Sequence, residues 1–68
     1  MPAVRASAIV DKIEDRPVPI WEVTVWGEPP HDHRRTYTLQ VKTDTFAAQE
    51  GIRLFVEEME NLDSLDKG

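Results

Sequence analysis

The stretch Thr36-Tyr-Thr-Leu-Gln-Val-Lys-Thr-Asp-Thr-Phe-Ala-Ala-Gln-Glu-Gly-Ile-Arg-Leu-Phe55 changes its hydrophobic period partway along. Up to Thr43 the residues Tyr37, Leu39 and Val41 alternate with Thr36, Thr38, Gln40 and Lys42, the period of two that a strand imposes. Beyond it Ala48, Ile52, Phe55, Met59 and Leu62 recur at helical spacing and form one apolar stripe. The switch predicts a strand over 34–43 and a helix over 44–61, with Asp44 or Thr45 as N-cap. Gly51 lies beside the stripe. A helical glycine costs up to about 1 kcal/mol relative to alanine, and close approach to a sheet, helped by Ala48, is a sufficient motive. Glu50, Glu57, Glu58 and Glu60 fall on the solvent side.

Upstream, residues 20–27 alternate in the same way. Trp21, Val23 and Val25 point to one face, and Ile20, Glu22, Thr24 and Trp26 to the other. The link Gly27-Glu-Pro-Pro-His-Asp-His33 is rich in turn formers, so an antiparallel hairpin is expected. A register with Val25 opposite Tyr37, Val23 opposite Leu39 and Trp21 opposite Val41 gathers the apolar rows on one face. Residues 4–13 read two ways. As a strand they align Val4, Ala6, Ala8 and Val10; as a helix they align Ala6, Ile9, Val10 and Ile13. The strand is preferred, because Glu14 and Asp15 would oppose the dipole at a helix C-terminus. The fold class expected is α+β: a three-stranded antiparallel β-meander packed on one C-terminal α-helix, βββα. Its core would be Val4, Ala8, Val10, Trp21, Val23, Val25, Tyr37, Leu39, Val41, Ala48, Ile52, Phe55 and Met59. Residues 1–62 form the single domain and residues 63–68 a frayed acidic tail.

With 68 residues the chain has room for one marginal core, and it has no cysteine to brace it with disulfides or thiolate metal sites. No apolar run is long enough to cross a bilayer. The start Met-Pro-Ala-Val-Arg5 lacks the pattern of a signal peptide, so a cytoplasmic location is expected. Net charge is −5. Residues 1–43 are neutral, and the acidic excess lies in residues 44–68. That field disfavours nucleic acid, which selects clustered Lys and Arg.

His31-Asp32-His33 is the one cluster with metal-ligand character, but three side chains on one proline-flanked loop read as a solvated polar turn. Ser7 and Ser64, the only serines, stand far from the histidines in sequence, and Gly27, Gly51 and Gly68 are isolated. No catalytic residue, metal site or cofactor is expected, and the chain reads as a non-enzyme. Two surfaces stand out as partner sites. One is the sheet face away from the helix, with Ile9, Ile13, Ile20 and Trp26 among Thr24, Thr36, Thr38, Gln40 and Lys42. The other comprises Leu54 and Phe46, off the helix stripe.

The stretches Trp21-Glu-Val-Thr-Val-Trp-Gly-Glu-Pro-Pro-His31, Tyr37-Thr-Leu-Gln-Val41 and Ala47-Ala-Gln-Glu-Gly-Ile-Arg-Leu-Phe55 resemble small uncharacterised proteins of bacteriophages, in particular phages of actinobacteria. That resemblance implies a phage product in the host cytoplasm acting on a host or phage macromolecule. The element order, with Thr43-Asp-Thr-Phe-Ala-Ala48 leading into the helix, also resembles the three-strand-plus-helix DNA-binding domains of plant AP2-type factors and some integrases. Those domains carry several Arg and Lys on the sheet, whereas here Arg5 and Lys42 stand against Asp11 and Glu22. The expected function is a non-enzymatic protein-interaction module with an unknown host or phage protein partner. The alternatives are a sheet-face DNA- or RNA-binding domain, a homodimer through the same apolar groups, and an acidic nucleic-acid mimic built on the helix.

Overall fold

A computed structural model gives the order β1 (Ala6–Glu14), β2 (Ile20–Gly27), β3 (Arg34–Gln40) and α1 (Asp44–Asp66). The structure describes residues 4–66, with side chains described over 4–62. The strands form one antiparallel sheet in the order β1-β2-β3, and α1 packs across one face. This is the expected βββα arrangement. The ambiguous first segment is a strand, and Val4, Ala6, Ala8 and Val10 turn together toward the helix, where they are half-buried. The helix runs past the expected end at Asn61 to Asp66. Of the expected frayed tail, residues 63–66 continue the helix and residues 67–68 lie outside the described residues.

The hairpin register differs from expectation by two residues. Val23 faces Tyr37, Trp21 faces Leu39 and Val25 faces Arg35. The turn sets this, because the Gly27 N–H donates to the His33 carbonyl at 3.1 Å and the His31 N–H to the Glu28 carbonyl at 2.8 Å. The loop therefore closes one residue pair earlier than the apolar pattern alone requires. A shift of two leaves each side chain on its face, so the faces stand as expected while every cross-strand neighbour between β2 and β3 changes. Beyond β3 the Val41 N–H donates to the Pro19 carbonyl at 3.2 Å, and the Trp21 indole N–H to the Val41 carbonyl at 2.8 Å. The second bond satisfies the indole N–H of a large amphipathic, half-buried ring.

The core centres on Val23, Val25, Ala47, Phe55 and Met59, all 0 or 1% exposed. Val10, Trp21, Tyr37, Leu39, Val41 and Ile52 pack around it half-buried. The helix stripe is thus rotated from the expected one. Ala47, Gly51, Phe55 and Met59 face the sheet, Ala48 and Ile52 flank them, and Leu62 is exposed. Backbone approach decides this rotation. A Cβ added at Gly51 would lie 2.6 Å from Val23 Cγ1, so the helix rests on β2 at its residue of least bulk. Thr43, rather than Asp44 or Thr45, caps the helix: its Oγ1 accepts from the Phe46 N–H at 3.1 Å. Asp44 occupies the first turn, where the helix dipole favours an anion.

Candidate functional site on the open sheet face

Strand parity builds the uncovered face. Ser7, Ile9 and Asp11 of β1, Ile20, Glu22, Thr24 and Trp26 of β2, and Arg34, Thr36, Thr38 and Gln40 of β3 share it. Trp26 stands in a cross-strand row between Ser7 and Arg34; Thr36, expected opposite it, faces Thr24 instead. Ile9 faces Thr24 as well and lies on the diagonal from Trp26. Trp26 and Ile9 wall a shallow hollow of about 440 Å³ completed by Gly27, Asp32, His33 and Arg34.

Of the expected contact residues, the structure therefore joins Trp26 and Ile9. Ile20 and Ile13 lie at the far end of the face. Ile20 is half-buried and faces Glu14, because the pairing skips Ile13 between Lys12 and Glu14. Ile13 is 50% exposed and has no cross-strand partner of its own. Phe46, 52% exposed, belongs to a separate, largely apolar groove of about 410 Å³ with Val18, Gln40, Val41, Lys42 and Thr43. Gln40 closes one wall by donating from Nε2 to the Val18 carbonyl at 3.1 Å. Leu54 is half-buried on the helix flank nearer β3, one turn before Glu58.

Charge divides the open face. Arg5 and Arg34 stand at the Trp26 end, with Glu28 opposite Arg5 and Asp32 and His33 beside the ring, while Asp11 and Glu22 sit directly opposite each other further along. Arg34 shares parity with Thr36 and Thr38, which places it on this face opposite Trp26. The histidine loop is corrected in one respect. His31 is 4% exposed rather than solvated, and its carbonyl closes over Gly27 beside the Phe55 ring, whereas Asp32 and His33 are exposed. Among the described residues no three His, Asp or Glu side chains gather where they could hold a metal ion.

Under the helix, Arg35 Nε donates to Glu58 Oε2 at 2.6 Å and ties β3 to α1. The neighbouring Tyr37 hydroxyl is buried with no hydrogen-bond partner among the described residues. Burial, followed by the Glu58 charge, raises its pKa above the ordinary tyrosine value, with Arg35 opposing. No described helix is long and apolar enough to cross a membrane. Comparison of the chain with protein-family models, with curated proteins and with solved structures finds no match.

Proposed function

We propose that this chain is a non-enzymatic interaction module that holds a protein partner on its open sheet face, with Trp26 as the anchor. The observation that carries this reading is the hollow walled by Trp26 and Ile9 on the face that α1 leaves uncovered. An indole offers large apolar area with few rotors to freeze, and a half-buried ring is already oriented before binding. Arg34, directly across from the ring and lining the hollow, favours a partner segment that pairs an apolar side chain with a carboxylate. The phage resemblance makes a host or phage protein in the cytoplasm the partner class. The test is affinity capture with the full chain and with Trp26→Ala. Loss of capture with unchanged circular dichroism supports the reading, and undiminished capture sinks it.

The same arginine beside an aromatic favours a second reading, single-stranded nucleic acid stacked on Trp26. Glu22 and Asp11 on that face and a net charge of −5 oppose it. Titration of oligonucleotides against tryptophan fluorescence at physiological salt separates the two readings.

A further inference from the structure

We propose that two copies of this chain pair along the free edge of β1, antiparallel and about a two-fold axis at Ala8. The product is a six-stranded sheet with both helices on one side. This goes beyond the open-face reading: it uses the backbone edge of β1 and shares Ile9 and Arg5 with that face.

Both outer strands of a three-stranded sheet have an unpaired edge. Two bonds show which groups point outward on β1. The Arg5 carbonyl accepts from the Glu28 N–H at 3.0 Å, and the Gly27 N–H turns the other way, to His33. By the alternation of an antiparallel ladder, Arg5, Ser7, Ile9 and Asp11 bond toward β2, and Ala6, Ala8, Val10 and Lys12 direct N–H and C=O outward. Such a row is a template for another strand. The irregularity after Lys12 ends it.

The two edges are flanked differently by the helix. Toward β3 stand Glu50, Leu54 and Glu58, with Glu58 held by Arg35. Toward β1 stand Ala48, Ile52 and Val56, one turn apart and all half-buried. Val10 joins Ala48 and Ile52 along a groove of about 330 Å³ that Asp44, Thr45 and Gln49 rim. The β1 edge thus combines free backbone groups with an apolar helix flank, and a marginal domain of this size gains from covering both.

Charge and side-chain size select a second copy and its register. Arg5 and Asp11 lie on the open face, three residues to either side of Ala8. Antiparallel self-pairing centred on Ala8 sets Arg5 opposite Asp11 of the second copy twice, in the closer, non-hydrogen-bonded pairs. It also sets Ala6 opposite Val10 and Ser7 opposite Ile9, which is 54% exposed in the single chain. Centring on Val10 would oppose Ile9 with Asp11, and centring on Asp11 would oppose like charges. Ala8 at the axis lets the Ile52 and Val56 flanks of the two helices approach.

The test is sedimentation equilibrium on the full chain. A dimer is expected. Ala8→Pro removes only an outward donor, which an edge strand tolerates. Losing the bond from both copies raises the dimer dissociation constant about tenfold or more, with circular dichroism unchanged. Arg5→Asp weakens the dimer, and Arg5→Asp combined with Asp11→Arg restores it. A monomer at millimolar concentration overturns the proposal. So does a dimer that withstands Ala8→Pro but is lost in Trp26→Ala, or a β1 edge occupied only by a strand of another protein. If Ala8→Pro does not fold, the charge exchange decides alone: a dimer indifferent to Arg5→Asp overturns the proposal. Ala8→Pro leaves Trp26 and Arg34 in place, so loss of the dimer and loss of protein capture are read separately in that variant.

Discussion

Alternate residues of β2 live in two different environments. Val23 and Val25 are wholly buried between the strands and α1, while Thr24 and Trp26 are half-buried on the opposite face and Glu22 is exposed. The backbone is shared, so the contrast isolates what each face does. The covered face closes the one core this chain can build. The open face carries a tryptophan, two isoleucines and both signs of charge without a layer above them, so substitutions there test recognition more than folding.

The largest effect is expected at the centre of the covered face. Phe55→Ala removes a fully buried ring and should cost about 3–5 kcal/mol, most of what so small a domain possesses. Chemical denaturation checks it; a midpoint near that of the wild type would show that the core lies elsewhere. Gly51→Ala comes next. Helix propensity favours alanine by about 1 kcal/mol, but the new methyl would meet Val23 Cγ1 at 2.6 Å, and a β-branched side chain in a packed core cannot swing away. Net destabilisation of about 1–3 kcal/mol is expected, and a gain in melting temperature would mean that the helix is free to lift from β2.

On the open face Trp26→Ala should cost only about 1–2 kcal/mol, because the ring is half-buried and a fraction of the transfer energy is at stake. Denaturation beside the capture assay reads both quantities from one protein. A loss as large as that of Phe55→Ala would erase the contrast between the faces.

The smallest effect belongs to Tyr37. Its hydroxyl is buried without a partner, so Tyr37→Phe should be neutral or stabilising by up to about 1 kcal/mol. The pH dependence follows from the raised pKa. Below the unfolded value near 10 both states hold the proton and the stability is fully present. As pH rises past it, the unfolded chain ionises first and stability falls. Thermal melts at alkaline pH should show that fall in the wild type and a shallower one in Tyr37→Phe.

Much of this was legible in the residue pattern, for a definable reason. Side-chain alternation is a local property, so the period change near Thr43, β2, β3 and the face of each of their residues follow from spacing, while β1, whose spacing fits strand and helix alike, needed the charges of Glu14 and Asp15 to decide it. Trp26 and Ile9 on one face, and Tyr37 on the other, were readable that way. Arg34 was equally readable, since it shares parity with Thr36.

What tertiary structure alone decided are the quantities that two segments settle together. The β2–β3 register depends on where the loop closes, and Gly27 bonding to His33 moved Trp26 from Thr36 to Arg34 without changing its face. The rotation of α1 depends on which helix residues let the backbone nearest to β2. Gly51, with no side chain, won that place over Ala48 and Ile52. That rotation in turn laid Ala48 and Ile52 along the edge of β1. His31 became buried because the loop folds back over Gly27 and Phe55, a contact between residues far apart in the chain. Period determines which face a residue takes; steric fit between distant segments determines its neighbours, and a site is made of neighbours.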